Sequence, residues 1–406
     1  MIKYHCIIGG YPETTKEVTM KKLLVVMLAA CMVFALAACG GASEGGDTPA
    51  PAGSGASAAS GSSSASAPAA GQTLKMASHN AVVEGNPYRV RYELDMQEAV
   101  ADAANYGYNV SYNSFVANSD ASTEQQQLQN SINEGFDIIV NNPVATTGLD
   151  PIIESAQTAG IVYINADCAY MSTDVDILNV VTDQEYLGYK TGQYAGEVLG
   201  SGKKVVMIAA LEGNQANTDR QRGFEKAIKE AGLEVVATGN HDWDTTKSQQ
   251  TMAEILNSGV QFDGVLVSQC AENALAAFDA AGAKYPGFIG FGDTGAFMQK
   301  MLEVNKDGLV TPYIVLSNPP GVGATALNFA LNEIAGKKLK DGVFAPGYED
   351  THQIWIASRV CYTDKDVAAG NLVEGKSIEE YANSFEAGDS ITFWLNFQEV
   401  KDAYFN

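Results

Sequence analysis

A chain of 406 residues with 48 acidic against 25 basic side chains carries a formal net charge of −23, which would be repelled by nucleic acid and by anionic membrane surfaces. Its 46% hydrophobic content can supply a core, so an intrinsically disordered chain is excluded. The length suits two or three domains.

Residues 1–19 contain Glu13 and Glu17 in an otherwise unpatterned stretch and read as an extension ahead of a true start at Met20. Lys21 and Lys22 then precede an apolar run over 23–34 and small residues ending in Leu36-Ala37-Ala38-Cys39. Charged, apolar and small-residue segments in that order form a secretory signal peptide over 20–38. The apolar run falls short of the roughly 20 residues that cross a bilayer as a helix. Leu-Ala-Ala-Cys resembles the bacterial lipoprotein box, which implies that Cys39 is lipidated and becomes the mature N-terminus; the rival reading is an ordinary signal peptide with a chance cysteine. Residues 40–71 are almost wholly Gly, Ser, Ala and Pro, too poor in apolar surface to fold. With Cys39 they make a 39–72 tether whose reach is roughly 30 Å. The mature chain is therefore expected outside the cytoplasm, touching the membrane through the anchor alone. Of the six cysteines, Cys168, Cys270 and Cys361 remain beyond the anchor. They allow at most one disulfide, fit no metal-ligand spacing, and read as buried or weakly reactive thiols.

From Thr73 onward strand and helix patterns alternate. Strands are expected over 74–77, 109–115, 137–141, 161–165 and 177–181, with helices over 89–106, 122–134, 149–158 and 185–199. The pattern restarts with strands at 204–209, 233–237, 264–268 and 287–291, and helices at 218–230, 247–257 and 273–281. In the 218–230 helix Phe224, Ala227, Ile228 and Ala231 share one face. Repeated βαβ implies parallel sheets with helices on both faces. A weak repeat links 104–110 to 229–235, 132–140 to 256–267 and 157–160 to 279–282, each pair about 125 residues apart, which argues for two similar α/β lobes. Ligands of open α/β sheets bind beyond the carboxyl ends of the strands, so two facing lobes make one cleft. Beyond Thr351 a strand over 353–361 and a short helical tail ending in Phe393, Trp394, Phe397, Tyr404 and Phe405 are expected to pack on one lobe.

Several short motifs stand in a shared order. They are Asn86-Pro87-Tyr88-Arg89 after the first strand, Asn141-Asn142-Pro143 after the third and Asn165-Ala166-Asp167 after the fourth. Arg220-Gln221-Arg222-Gly223-Phe224 and Ile289-Gly290-Phe291-Gly292-Asp293 follow. In this respect residues 73–361 resemble the ribose-type (type I) periplasmic sugar-binding proteins of ABC importers. The resemblance implies an α/β fold of two doubly wound parallel-sheet lobes joined by three crossovers, expected near 181–183, 317–318 and 347–351. It divides the chain into an N-terminal lobe (73–181 with 318–349) and a C-terminal lobe (182–317 with 350–406). The lactose-repressor family shares the fold but begins with a helix-turn-helix where this chain has the lipoprotein box.

Sugar hydroxyls call for planar side chains that donate or accept in pairs, and the apolar ring faces call for aromatic platforms. The candidates are Ser78, Asn86, Tyr88, Arg89, Asn165, Asp167, Thr218, Trp243, Gln269, Asp293 and Asn318. Asn86 also suits the start of a helix with Pro87 in its first turn, Trp243 suits a core position, and Asp293 suits a helix cap. Thr218 stands where the family has a ligand-clamping arginine, which leaves Arg220 a structural role. Gln269-Cys270 stands where an Asn-Asp pair is common, and Arg89 replaces the second aromatic of the first loop. The lost contacts and the gained arginine favour a ligand bearing a carboxylate or phosphate over ribose itself.

Gly290, Gly292 and Gly295 match a dinucleotide fingerprint, but no acidic residue follows at the required distance. His241, Asp242 and Asp244 are a three-residue cluster on a loop, more in keeping with solvation than with a metal. No nucleophile elbow accompanies the mature protein's His79, His241 and His352. The expectation is a non-enzymatic solute-binding lipoprotein without cofactor or metal, delivering a sugar or polyol to an ABC permease and its ATPase. The alternatives are a sensory lobe presenting a sugar-like signal, nucleoside or uronate to a membrane kinase or chemoreceptor, and a secreted enzyme.

Overall fold

The computed structural model describes residues 72–84 and 86–406. The start extension, signal peptide, Cys39 anchor and tether expected up to residue 71 lie outside the described residues. In chain order β1 (Thr73–Asn80), α1 (Pro87–Asp102), β2 (Asn109–Val116), α2 (Ala121–Asn133), β3 (Ile138–Asn142), α3 (Asp150–Thr158), β4 (Val162–Ala166) and β5 (Leu178–Thr182) build the first lobe. The second is built by α4 (Gln184–Leu199), β6 (Lys204–Ala209), α5 (Gln215–Ala231), β7 (Glu234–Asn240), α6 (Thr245–Asn257), β8 (Gly264–Val267), α7 (Ala271–Ala281), β9 (Ile289–Gly292), α8 (Gly295–Val304) and β10 (Tyr313–Leu316). The chain then returns to the first lobe through α9 (Val322–Ile334) and β11 (Gln353–Ile356), and crosses again to β12 (Cys361–Thr363). α10 (Asp364–Ala369), β13 (Leu372–Val373), β14 (Lys376–Ser377), α11 (Ile378–Ala382) and α12 (Phe397–Tyr404) complete it.

The sheets repeat one order, β11-β5-β4-β3-β1-β2 and β12-β10-β9-β8-β6-β7. Within these two sheets the pairings are parallel except that of β12 with β10, and β13 pairs antiparallel with β14 in a separate two-stranded ribbon. Apolar residues cover both faces of each sheet. In the first lobe Met76, Ile138 and Val140 pack against α1 and α9, while Ala77, Ile139 and Tyr163 pack against α2 and α3. This is the two-faced α/β architecture expected of βαβ repeats. Strand order reverses between β1 and β3 and between β6 and β8, the switch points where such sheets hold ligands.

The second lobe is fastened by close helix packing. Gly188, Gly192 and Gly196 of α4 stack on Gly223, Ala227 and Ala231 of α5. A Cβ on Gly188 would meet the Arg220 carbonyl, and one on Gly223 the Glu185 carbonyl and Tyr189 nitrogen, all within 3.0 Å. α5 is set at its start by the Asn214 side chain, which accepts from Asn217 N at 3.2 Å, and is ended by Gly232 at φ 68°.

Two expectations are corrected. The strand expected over 353–361 is two strands in different sheets, so the third crossover lies at 357–360 instead of 347–351. There Ser358 Oγ stands 2.8 Å from Ser317 Oγ on the second crossover. The tail also does not belong to one lobe. Ile378, Tyr381 and Ile391 are buried in the second lobe, whereas Leu395, Val400 and Phe405 complete the core of the first. The chain thus passes between the lobes a fourth time near Thr392, whose hydroxyl donates to Asp95 Oδ2 at 2.5 Å and accepts from Gly321 N at 3.1 Å. Asn328 and Asn332 of α9 anchor the last segment by donating to Leu395 O (2.9 Å) and Phe397 O (3.1 Å).

Candidate functional site

A cavity of about 230 Å³ lies between the lobes at the carboxyl ends of their strands. From the first lobe Asn86, Tyr88, Arg89 and Asp167 line it; Trp243 and Gln269 line it from the second, and Asn318 from the crossover. Asn86 does cap α1, accepting from Arg89 N at 3.2 Å with Pro87 behind it, so the helix-start and cavity readings both hold. That cap aims the first turn of α1 at the end of β4. There Asp167 Oδ1 accepts from Tyr88 Oη at 2.7 Å, and Oδ2 accepts from Arg89 Nη2 at 2.5 Å and Asn142 Nδ2 at 3.1 Å. Burial, with the Asp167 charge next in weight, raises the Tyr88 phenol well above its ordinary pKa, so it stays a donor.

Asp167 and Trp243 both hold left-handed backbone, at φ 69° and 62°. Such strain in non-glycine residues concentrates at working sites.

Four candidates lie elsewhere. Ser78 Oγ donates to Glu93 at 3.0 Å, beneath α1. Asn165 is fully buried and donates to Asn179 Oδ1 at 3.3 Å, its register partner on the neighbouring strand β5. Thr218 is exposed and its hydroxyl bonds back to Asn214 O at 3.0 Å on its own helix. Asp293 is 1% exposed and sits behind the lining, accepting from Gln269 Nε2 at 3.4 Å.

Arg220 takes the structural role expected of it and also borders the cavity. It lines the cavity, yet it is 0% exposed and its guanidinium lies 5.4 Å from the Trp243 ring centroid and 4.9 Å from that of Phe291. It donates to Ser268 O and Gln184 Oε1, and Gln184 Nε2 donates onward to Asn318 Oδ1 at 3.0 Å. Burial lowers its pKa to about 10, against the raising effect of Asp293, so it remains charged. The Arg-x-x-Gly-Phe motif marked this residue, but nothing in the sequence shows what surrounds it. Of the loop cluster, Asp242 pairs with Lys247, Asp244 caps α6, and the His241 ring accepts from Trp243 N at 3.2 Å.

Asp293 gives a pH test. Burial, then the charge of Glu272, raises its pKa to about 7, and Arg220 only partly opposes them. An acid whose folded pKa is raised adds stability that is complete below its unfolded value near 4 and is lost as pH rises through 7. Asp293→Asn removes the ionisation, so its stability relative to the parent protein should climb between about pH 4 and 7 and level off above, read by denaturation at each pH.

The lobes also touch outside the cavity, where Arg222 Nη2 donates to Tyr348 Oη at 2.6 Å. Tyr348→Phe removes that link between the lobes. It should raise the solute Kd several-fold by calorimetry without moving the melting temperature of the unliganded protein by more than a few degrees.

The profile of the periplasmic binding protein domain matches residues 81–338, and the chain belongs to that family, in its ribose-type, type I branch. Its members bind solutes without transforming them, and this chain is not an enzyme. It is 25% identical over 236 residues to the ribose import binding protein of Bacillus subtilis, covering 57% of this chain and 73% of that one. It is 25% identical over 259 residues to a xylitol-binding protein of Mycolicibacterium smegmatis, covering 63% and 70%. A solved ABC transporter solute binding protein from Bacillus halodurans with bound myo-inositol shares the fold at TM-score 0.59 and 23% identity, covering 77% of this chain and 98% of that one.

Proposed function

We propose that this chain is the extracytoplasmic receptor of an ABC importer, held to the membrane by a lipid on Cys39, which captures a sugar or sugar-like solute between its lobes and hands it to the permease. The observation that carries the reading is the interlobe cavity, in which the side-chain amides of Asn86, Asn142, Gln269 and Asn318 and the Arg89 guanidinium offer hydrogen bonds beside the Trp243 and Tyr88 rings. A solute touching both lobes at once favours the closed arrangement by its differential contacts. Relatives named for ribose and xylitol support the solute class. A thermal-shift panel of pentoses, hexoses, polyols, uronates and nucleosides tests it, since binding stabilises by mass action. A shift with amino acids or peptides alone would remove the sugar reading. Absence of radiolabelled lipid from a Cys39→Ala chain, and its presence in the parent, tests the anchor.

A further inference from the structure

We propose that the solute is a monoanion, a hydroxylated carboxylic acid of the sugar-acid class, whose carboxylate is received by Arg89. The inference rests on the cavity being the sugar site and narrows what that site accepts. Among the described residues three charged side chains line the cavity, Arg89, Arg220 and Asp167, an excess of one positive charge. Asp167 is already committed, with Tyr88, Arg89 and Asn142 donating to its two oxygens. The one lining carboxylate therefore has little acceptor capacity left for sugar hydroxyls. Asp293, which sequence reasoning placed among the hydroxyl acceptors, is behind the wall.

Donors are in surplus. Arg89 Nη1 is buried and has no hydrogen-bond partner. A guanidinium cannot shed its proton and has no acceptor of its own, so this nitrogen is completed by an acceptor from outside the chain. Asn86 and Asn318 spend their side-chain oxygens within the protein, on Arg89 N and Gln184 Nε2. Gln184 likewise spends its oxygen on Arg220. A neutral sugar brings about as many O–H donors as acceptors and would leave the surplus unmatched, whereas a carboxylate only accepts, in the planar pair geometry that a guanidinium fits.

Charge separates carboxylate from phosphate. One excess positive charge matches a monoanion, while a phosphate monoester brings close to −2 into a cavity that would be left negative. The ligand also carries a hydroxyl. Asn142 Oδ1 is buried without a partner while its Nδ2 is held by Ala166 O and Asp167, so the oxygen is fixed as an acceptor awaiting a donor.

Isothermal titration of matched pairs tests the proposal: galacturonate with galactose, glucuronate with glucose, gluconate with sorbitol, and lactate as a carboxylate that is not a sugar acid. At least one acid should bind more than about tenfold tighter than its neutral partner, the worth of one charge-assisted pair. Arg89→Gln should reduce that ratio to near unity, and Arg89→Lys should keep part of it. Should neither variant fold, the ratio in the parent protein decides alone. A neutral partner binding as tightly as its acid overturns the monoanion and leaves the sugar site standing. Binding of lactate with no sugar acid or neutral sugar overturns the sugar reading and leaves the Arg89 receptor standing. A chain that binds no member overturns both.

Discussion

Gly223→Ala is expected to destabilise the protein by at least about 3 kcal/mol, the upper part of the range for overpacking. The added methyl would lie within 3.0 Å of the Glu185 carbonyl and the Tyr189 nitrogen, both backbone atoms of α4 that cannot rotate aside. α5 would have to lift from α4, opening the close packing of Gly192 on Ala227 and of Gly196 on Ala231. A loss of that size lowers the melting temperature by roughly 6–12 °C in a lobe of this length. Gly388→Ala is the control, because a Cβ there meets nothing within 4 Å; its effect should stay within about 1 kcal/mol of zero. Equal melting temperatures for the two variants would mean that the helices part without cost.

Arg220→Met should cost about 3–5 kcal/mol, although methionine nearly fills the same volume. Packing between Trp243 and Phe291 is largely kept, but Ser268 O and Gln184 Oε1 lose their charged donor in a fully buried place. Asp293 loses the positive charge that now opposes its raised pKa. The folded pKa of Asp293 then moves further up, so the cost of ionising it continues to grow above pH 7. The loss should therefore be larger at pH 8.5 than at pH 6 in denaturant titrations. A loss independent of pH would show that Asp293 does not feel Arg220. Because Gln184 links Arg220 to Asn318 on the crossover, solute affinity should fall as well.

The alternation of βαβ units was readable because each buried strand, such as 138–142, is a continuous apolar or amide run between helices with one apolar face. Its limits are instructive. Residues 353–361 look like one strand because Ile354, Ile356 and Val360 alternate acceptably, and only pairing with β5 on one side and β10 on the other reveals the change of sheet. Likewise Gly188, Gly192 and Gly196 recur every four residues, a visible stripe, but their partner helix is a tertiary fact. In the site, motif order led to Asn86, Tyr88, Arg89 and Asp167, which lie just past strand ends, on a loop or in the first turn of α1. It failed for Thr218, which the first turns of α5 rotate outward, and for Asp293, which Gln269 screens. Arg220 was expected to be structural, and it is, but residue type could not show that the same guanidinium also lines the cavity.

The last crossing of the chain bears on how the protein is made. The first lobe begins at Thr73, yet its core is closed by Leu395, Val400 and Phe405, and its edge strand β11 is encoded at 353–356. On the ribosome the early strands must wait for almost the whole message, on the order of tens of seconds at ordinary elongation rates. The second lobe needs β12 and α11 as well, so neither half can close as a unit while the chain is still growing. Native structure is deferred until those late segments are made, and a nascent chain that stays open that long is one that a translocation channel can still thread.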